Sequence, residues 1–301
     1  MYTIRQASDR TGVSVPLLRA WERRYGVPAP ERTASGYRLY GDEVIAQLKA
    51  MRQLVDDGWA PSQAAVEIRA GRLPNPSGAP EVAASAADAP SSSASAALVA
   101  RIVAAAGALD EAAIEASLGE PALGLDFETV VQKVWLPALV AVGDAWESGG
   151  LDVASEHALS AAIMRRLGIA YAAAGRPGSH PHVLVGLPPG ARHECGALAF
   201  AVLARRAGID LLYLGADVPA ESWTRAVAET GARVVVLGVA TLEDRNAARD
   251  VVVALSTIGG RRSVLVGGPA AAVDGDLPAA VLPPDLQAAI ESVRGALASA
   301  S

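Results

Sequence analysis

The hydrophobic positions of this chain change their spacing twice along its length. Up to about residue 70, apolar residues recur every three or four positions in short stretches broken by glycine. From Leu98 to about Gly175, long stretches rich in Ala and Leu keep a helical spacing. After His182, short apolar runs bounded by turn residues alternate with amphipathic stretches. Such changes of period predict several domains with separate cores.

A segment of different composition separates the first region from the second. Residues 73–97 are rich in Pro, Ser, Ala and Gly, and Leu73 and Val82 are their only larger apolar residues. Because such a segment cannot anchor itself in a core, we expect a flexible linker. The predicted divisions of the chain are 1–72, 73–97, 98–176 and 181–301.

The two regions after the linker predict two different folds. In 98–176, turn signals at 119–121, near Gly124 and at 148–150 separate the helical stretches, which favours a four-helix bundle. In 181–301, apolar runs alternate with helical stretches, as buried parallel strands and their crossover helices do. We therefore expect a doubly wound α/β domain there, Rossmann-like and of the flavodoxin type. The predicted strands are 182–186, 209–215, 234–239 and 263–268.

The first 72 residues have the organisation of a winged helix. A short predicted helix, 4–11, is followed by a glycine turn and by a second helix that Ser14 can cap. Arg19 and Arg23 stand four positions apart on one exposed face of this second helix. Residues 32–40 follow as a wing that turns at a glycine. The order of helix, turn, helix and wing is typical of a DNA-reading module.

The charge distribution agrees with a DNA-reading first region. The chain has 301 residues and a net charge of -6, but residues 1–72 hold eleven Lys or Arg against eight Asp or Glu, a net +3. The remainder therefore carries -9, which suits a body that does not adhere to DNA. No stretch reaches the roughly 18 apolar residues of a membrane span, and no signal peptide opens the chain. A single cysteine, Cys195, fits a reducing compartment, so we expect a cytoplasmic protein without membrane contact.

Two motifs lie within residues 1–72, here called the head, and are specific enough to compare with known regulators. They are Arg-Ala-Trp-Glu-Arg-Arg-Tyr-Gly and Gly-Tyr-Arg-Leu-Tyr. In this order, over residues 1 to about 70, the sequence resembles the MerR family of transcription regulators. The resemblance implies that Arg19 and Arg23 work in or beside the major groove of double-stranded operator DNA. The long coiled coil that usually follows in that family is missing, so a dimer or tetramer, if one forms, must form through the part of the chain after the linker. The residues that the resemblance assigns to DNA contact are Arg19, Trp21, Arg23, Arg38 and Tyr40.

Three features of the body stand where they can meet one ligand. Trp146 precedes the Gly149-Gly150 turn and Glu156-His157 follows it, so both can converge at one end of the bundle. His193 follows the first strand of the α/β domain, in a loop at the carboxyl end of a parallel sheet, where such folds bind ligands. Gly267-Gly268 ends a later strand and leaves room for a ligand beside the backbone.

Over residues 98 to about 290, this combination resembles the cobalamin-binding module of methionine synthase and of the light-sensing regulators of the CarH and LitR type. The resemblance implies adenosylcobalamin as cofactor, with Trp146, Glu156 and His157 on the adenosyl side. It also implies that His193 binds cobalt from the lower side and that Gly196 opens a channel for the nucleotide tail. The implied cofactor-binding residues are Trp146, Glu156, His157, His193, Gly196, Leu242, Gly267 and Gly268, with His193 as the metal ligand.

The sequence departs from that family's pattern at three positions. Ala191 stands where the family has a carboxylate two residues before the lower histidine, a group that would orient the imidazole. Ala240 replaces the serine of a Ser-x-Leu element whose leucine, Leu242, is retained. Glu147 follows Trp146 where some relatives have a histidine. We therefore expect cobalt ligation by the lower histidine with reduced affinity.

Three functions are compatible with these patterns. The first is a DNA-binding regulator, a repressor that senses light through adenosylcobalamin and changes its oligomeric state with the ligand. The second uses the same scaffold for a bilin, haem or another tetrapyrrole, with Cys195 as anchor or soft ligand, or for protein partners without cobalamin. The third, a corrinoid methyl carrier or mutase subunit, is disfavoured by the DNA-reading head and the lack of a catalytic barrel. We therefore expect no catalytic residues and no enzymatic activity.

Overall fold

The computed structural model describes residues 1–32, 38–56, 64–65, 68–69, 92–119, 124–175, 178, 180–259, 262–272 and 277–299. Its contacts divide the chain into two compact units. The first comprises Met1–Ala94, which contains the head, together with Glu147–Gly150, and the second, called the body, comprises Ser95–Trp146 and Leu151–Ser301. No helix in the described ranges is both long and apolar enough to cross a membrane.

The head contains the predicted pair of helices and the beginning of a wing. Thr3 caps the first helix in a capping box with Gln6, and Gly12 ends that helix in the left-handed conformation, at a φ of 68°. Ser14 caps the second helix by accepting a hydrogen bond from the Leu17 amide. The two short strands pair antiparallel, and residues 33–37 between them lie outside the described residues. The elements are α1 (Ile4–Thr11), α2 (Val15–Tyr25), β1 (Glu31–Arg32), β2 (Arg38–Leu39) and α3 (Asp42–Asp56).

The first half of the body is helical. One helix begins at Ser92, inside the segment 73–97 that was expected to be a linker, because its Ala-rich sequence favours helix and Ile102 anchors it in the core. The linker residues up to 91 lie outside the described residues. A π-helical turn, Val131–Trp135, joins two α-helical stretches into one continuous helix and was not predicted. The helices are α4 (Ser92–Gly107), α5 (Glu111–Gly119), α6 (Phe127–Val130), α7 (Leu136–Glu147) and α8 (Val153–Ala173).

The second half of the body is the predicted doubly wound α/β domain. Its five strands are all parallel and lie in the order β4-β3-β5-β6-β7, which is the flavodoxin-type order. The four predicted strands are confirmed, and the short, exposed edge strand β7 was missed. The elements are β3 (Val183–Gly186), α9 (Cys195–Arg206), β4 (Leu211–Gly215), α10 (Ala220–Thr230), β5 (Val234–Gly238), α11 (Leu242–Ser256), β6 (Ser263–Gly267), β7 (Ala280–Val281) and α12 (Leu286–Ser299).

The bundle and the α/β domain share one hydrophobic core. Helix α8 packs along α9, and buried side chains continue from the bundle through α9 to one face of the sheet. Polar contacts join the same two layers, since Arg206 donates to Glu128 over 2.6 Å and the Tyr213 amide donates to the Tyr171 hydroxyl over 2.8 Å. A second core on the other face of the sheet surrounds Trp223 and includes side chains of α10 and α11. The body therefore holds its helical and α/β parts in a fixed arrangement.

Candidate functional site

The strand order creates a crevice at the carboxyl edge of the sheet. The loop after β3, residues 187–194, leads to α9 on one face, and the loop after β5, residues 239–241, leads to α11 on the other face. Two loops that leave neighbouring strands toward opposite faces leave a gap between them, which is where open α/β sheets bind ligands. Gly238 ends β5 there, and a Cβ atom on it would lie 3.1 Å from the Cβ of Ala197. The two sides of the crevice therefore approach closely.

His193 lies in the first of these loops, two residues before α9. Its side chain is exposed, and within the described part of the chain its imidazole has no hydrogen-bond or ion-pair partner. Gly196 stands in the first turn of α9, and a Cβ atom on it would meet nothing within 4 Å. An unpaired imidazole and open space therefore occur three residues apart at the crevice. No group of three His, Cys, Asp or Glu side chains in the described ranges could hold a metal ion by itself.

The bundle brings its predicted residues to one end. The Leu151 amide donates to the Ala145 carbonyl over 3.1 Å, which folds the turn back so that the end of α7 lies beside the start of α8. Trp146 in this arrangement is 39% exposed, so its ring is only partly packed. In the first turn of α8, Glu156 accepts a hydrogen bond from Ser160 over 2.8 Å and lies 2.6 Å from Nδ1 of the exposed His157.

Cys195 links the bundle end to the crevice. Burial, together with the charges of Glu194 and Glu156, raises the pKa of its thiol to about 12. A carboxylate on α8 that acts on a thiol in the first turn of α9 must lie near it, because such interactions fade with distance. The charge of the bundle residue Glu156 therefore lies within electrostatic range of the start of α9, two residues after His193.

The carboxylate next to His193 is already occupied. Glu194 accepts a hydrogen bond from the Tyr213 hydroxyl over 3.0 Å, and burial followed by the charge of Glu194 raises the pKa of Tyr213. Ala191 is buried and offers no side-chain acceptor. Of the acceptors that could orient the imidazole of His193, Glu194 is thus engaged with the neighbouring strand.

The other predicted cofactor residues line the ends of β5 and β6. Leu242 is the first residue of α11, and the preceding Thr241 caps this helix in a capping box with Asp244. Gly267 and Gly268 end β6, but a Cβ atom on Gly268 would lie 2.4 Å from the Val239 carbonyl oxygen. Close packing against the loop after β5, together with a φ of 118°, therefore requires a glycine at this position, a reason that differs from the expected space for a ligand.

In the head, the predicted DNA contacts divide into three groups. Arg19 is exposed on α2, and the side chain of Arg23 lies outside the described residues. Trp21 is 3% exposed and Tyr40 is fully buried, because both pack into the core of the head. This burial corrects the expectation that these two aromatic residues contact DNA. Arg38 donates to Glu22 over 2.7 Å, so it fixes strand β2 to α2, a partnership that the sequence did not indicate.

Comparison with known proteins agrees with this division into head and body. Residues 2–69 match the family model described as MerR HTH family regulatory protein. Residues 98–171 match the family model described as B12 binding domain. The chain is 36% identical to the HTH-type transcriptional repressor CarH of Myxococcus xanthus, over 82% of this chain and 80% of CarH. The chain belongs to the MerR HTH family of regulatory proteins. This membership confirms a DNA-binding transcription regulator that carries a B12-binding domain.

Two further relatives extend the comparison. The HTH-type transcriptional repressor CarA of the same organism is 30% identical over 78% of this chain and 75% of CarA. The Methanosarcina barkeri monomethylamine corrinoid protein is 15% identical, covers 66% of this chain and 97% of its own, and superposes with a TM-score of 0.54. At that identity the likeness concerns the fold alone. The family relatives CarH and CarA are named as transcriptional repressors.

We expect Cys195 to resist alkylation in the folded protein. With a thiol pKa of about 12, the thiolate fraction at pH 8 is on the order of 10⁻⁴, whereas an unfolded cysteine with a pKa of about 8.5 is about one quarter ionised. Timed reaction with iodoacetamide, followed by mass spectrometry, should be on the order of 1,000-fold slower in buffer than in denaturant. The rate in buffer should rise about tenfold per pH unit. Equal rates would contradict the burial of this thiol and would support Cys195 as a reactive anchor.

Proposed function

We propose that this regulator is a repressor that senses light through adenosylcobalamin bound between the bundle and the α/β domain. The observations that support the proposal are the exposed imidazole of His193 at the crevice, the open space beside Gly196, and the charge of the bundle residue Glu156 acting on Cys195, two residues after His193. The family relatives named CarH and CarA are repressors, which supports the same role here.

In this proposal each side of the crevice has its own task. A neutral imidazole is a suitable cobalt ligand, so His193 would hold the metal from the side of the sheet. The Glu156 carboxylate would keep the ring of His157 oriented, and the partly exposed Trp146 would cover the adenosyl group with its apolar surface. Bound adenosylcobalamin would supply a cobalt–carbon bond that visible light breaks. Gly196, Leu242, Gly267 and Gly268 would border the nucleotide tail.

The head would read operator DNA through α2 and the wing. The exposed guanidinium of Arg19 can reach base edges or phosphates, whereas the pair formed by Arg38 and Glu22 would hold the wing in register with α2. We further propose that the body assembles into a dimer or tetramer that depends on the ligand. Several heads on one assembly bind DNA far more tightly than one head alone.

Cys195 does not favour a covalently attached bilin. The thiolate is the nucleophile that forms such a bond, and the raised pKa of this thiol keeps it protonated near neutral pH. The cobalamin proposal uses the imidazole of His193, which is exposed, and needs no thiolate.

Replacing His193 tests the proposed ligation. His193→Ala should change the absorption spectrum of the hydroxocobalamin complex and weaken binding about 10- to 100-fold, because the lower ligand is lost. His182→Ala is the matched control, since His182 is also exposed but stands at the amino end of β3, away from the crevice. Wild-type spectrum and affinity in the His193 variant would rule out cobalt ligation by this residue.

Replacing Arg19 tests the proposed docking of the head. Arg19→Ala should weaken binding to operator DNA by about 1 to 3 kcal/mol, and relaxed sequence preference would indicate a base contact while a smaller salt dependence would indicate a phosphate contact. Arg225→Ala is the control, because Arg225 is an exposed arginine of the body, on α10. If gel shifts give the same affinity for both variants, α2 does not enter the groove through Arg19.

A further inference from the structure

The loop that carries His193 is held from the loop after β4 by an aspartate that the sequence patterns did not single out. We propose that Asp217 is the positioning residue that presents His193 to cobalt, an inference that rests on the proposed cobalamin function. Asp217 would touch neither the metal nor the corrin ring. It would act only through the backbone of the loop.

Asp217 makes two hydrogen bonds to that loop, from opposite sides of one peptide segment. Its carboxylate Oδ1 accepts from the Gly190 amide over 2.6 Å, and its own amide donates to the Ala191 carbonyl over 3.0 Å. Ala191 lies only two residues before His193. Both bonds therefore act directly on the backbone that enters the histidine position.

The backbone conformation of Asp217 is unusual and points to a constraint. Among the described residues, only Leu109 and Asp217 are non-glycine residues with a positive φ, which is 52° at Asp217. Glycine adopts this conformation most easily, and asparagine and aspartate tolerate it better than other residues. Glycine, however, has no side-chain acceptor for the Gly190 amide. An aspartate at this position satisfies both requirements.

Other hydrogen bonds from β4 and the loop after it hold the chain on both sides of His193. Upstream, the Leu187 amide donates to the Gly215 carbonyl over 2.9 Å and the Val218 amide donates to the Leu187 carbonyl over 3.2 Å. Downstream, the Tyr213 hydroxyl donates to Glu194 over 3.0 Å. Strand β4 and the loop after it thus hold the chain before and after the histidine.

In this proposal, the hydrogen bonds to the loop replace the orienting effect on the imidazole that a carboxylate at position 191 would have. Since Ala191 cannot bond the imidazole, the orientation of the ring must come from the backbone to which it is attached. A ligand residue on a fixed loop loses less conformational freedom on binding than one on a mobile loop. We therefore expect the affinity for cobalamin to depend on Asp217 although the two do not touch.

The test compares Asp217→Gly, Asp217→Asn and Asp210→Gly. The glycine variant keeps the positive φ but loses the acceptor, whereas the asparagine variant keeps both. Asp210 is the matched control, because its Oδ1 also accepts from a backbone amide, that of Gly178 over 3.0 Å, but at the amino end of β4. Thermal unfolding of the apo forms reports any general loss of stability.

The first readout needs no cofactor. Hydrogen exchange of the Gly190 amide in the apo protein should be at least about tenfold faster in Asp217→Gly than in wild type, and close to wild type in Asp217→Asn and Asp210→Gly. In hydroxocobalamin titrations, Asp217→Gly should lower affinity about tenfold and shift the spectrum toward that of His193→Ala. Asp217→Asn should restore both values.

Two outcomes would overturn the role of Asp217. One is unchanged protection of the Gly190 amide in Asp217→Gly, and the other is an equal loss of affinity in Asp217→Gly and Asp210→Gly. Failure of the proposed function has a different signature, in which wild type and His193→Ala bind hydroxocobalamin alike. In that case the proposed role of Asp217 in presenting His193 to cobalt is also wrong. The exchange rate of the Gly190 amide still shows whether Asp217 fixes the loop.

Discussion

The order of the parallel strands is the constraint on which the rest of the body depends. Because β5 lies on the opposite side of β3 from β4, the loops after β3 and β5 leave toward opposite faces of the sheet and open a crevice at its carboxyl edge. The first loop carries His193 into this crevice, and α9 directly after it packs against α8 of the bundle. The same packing brings the charge of Glu156 within electrostatic range of Cys195. One topological feature thus joins residues that lie far apart in the sequence.

The head and the body each have a complete hydrophobic core, which restricts how a ligand in the body can affect DNA binding. The core of the head contains Trp21, Tyr40 and Met51 and draws on residues of the head alone. A ligand alters DNA affinity only if it distinguishes between two states of the protein. A change in the number of heads held in one assembly provides such states without rearranging the head, and its effect on affinity is large.

The sequence predicted the elements better than the partners of individual side chains. Helical and strand periods, glycine turns and capping residues act locally, so α1, α2 and the four longer strands could be predicted from neighbouring residues. The burial of Trp21 and Tyr40 depends on tertiary packing. The residues next to an aromatic side chain in the sequence do not indicate whether that side chain is buried or faces DNA. The role of Asp217 was equally hidden, because its partners Gly190 and Ala191 belong to another loop. The sequence pointed to Gly268, but its close approach to Val239 in the loop after β5 could not be predicted from neighbouring residues.

In the proposed function, light acting on a cofactor in the body controls the affinity of the head for DNA. Its most direct test is the dissociation constant of the full chain, loaded with adenosylcobalamin, for a DNA fragment selected by this protein from a random pool, measured in the dark and after illumination. We expect the affinity to fall at least about tenfold on illumination, equivalent to about 1.4 kcal/mol, and to stay unchanged for the hydroxocobalamin-loaded protein. Equal affinities in the dark and after complete photolysis would contradict it.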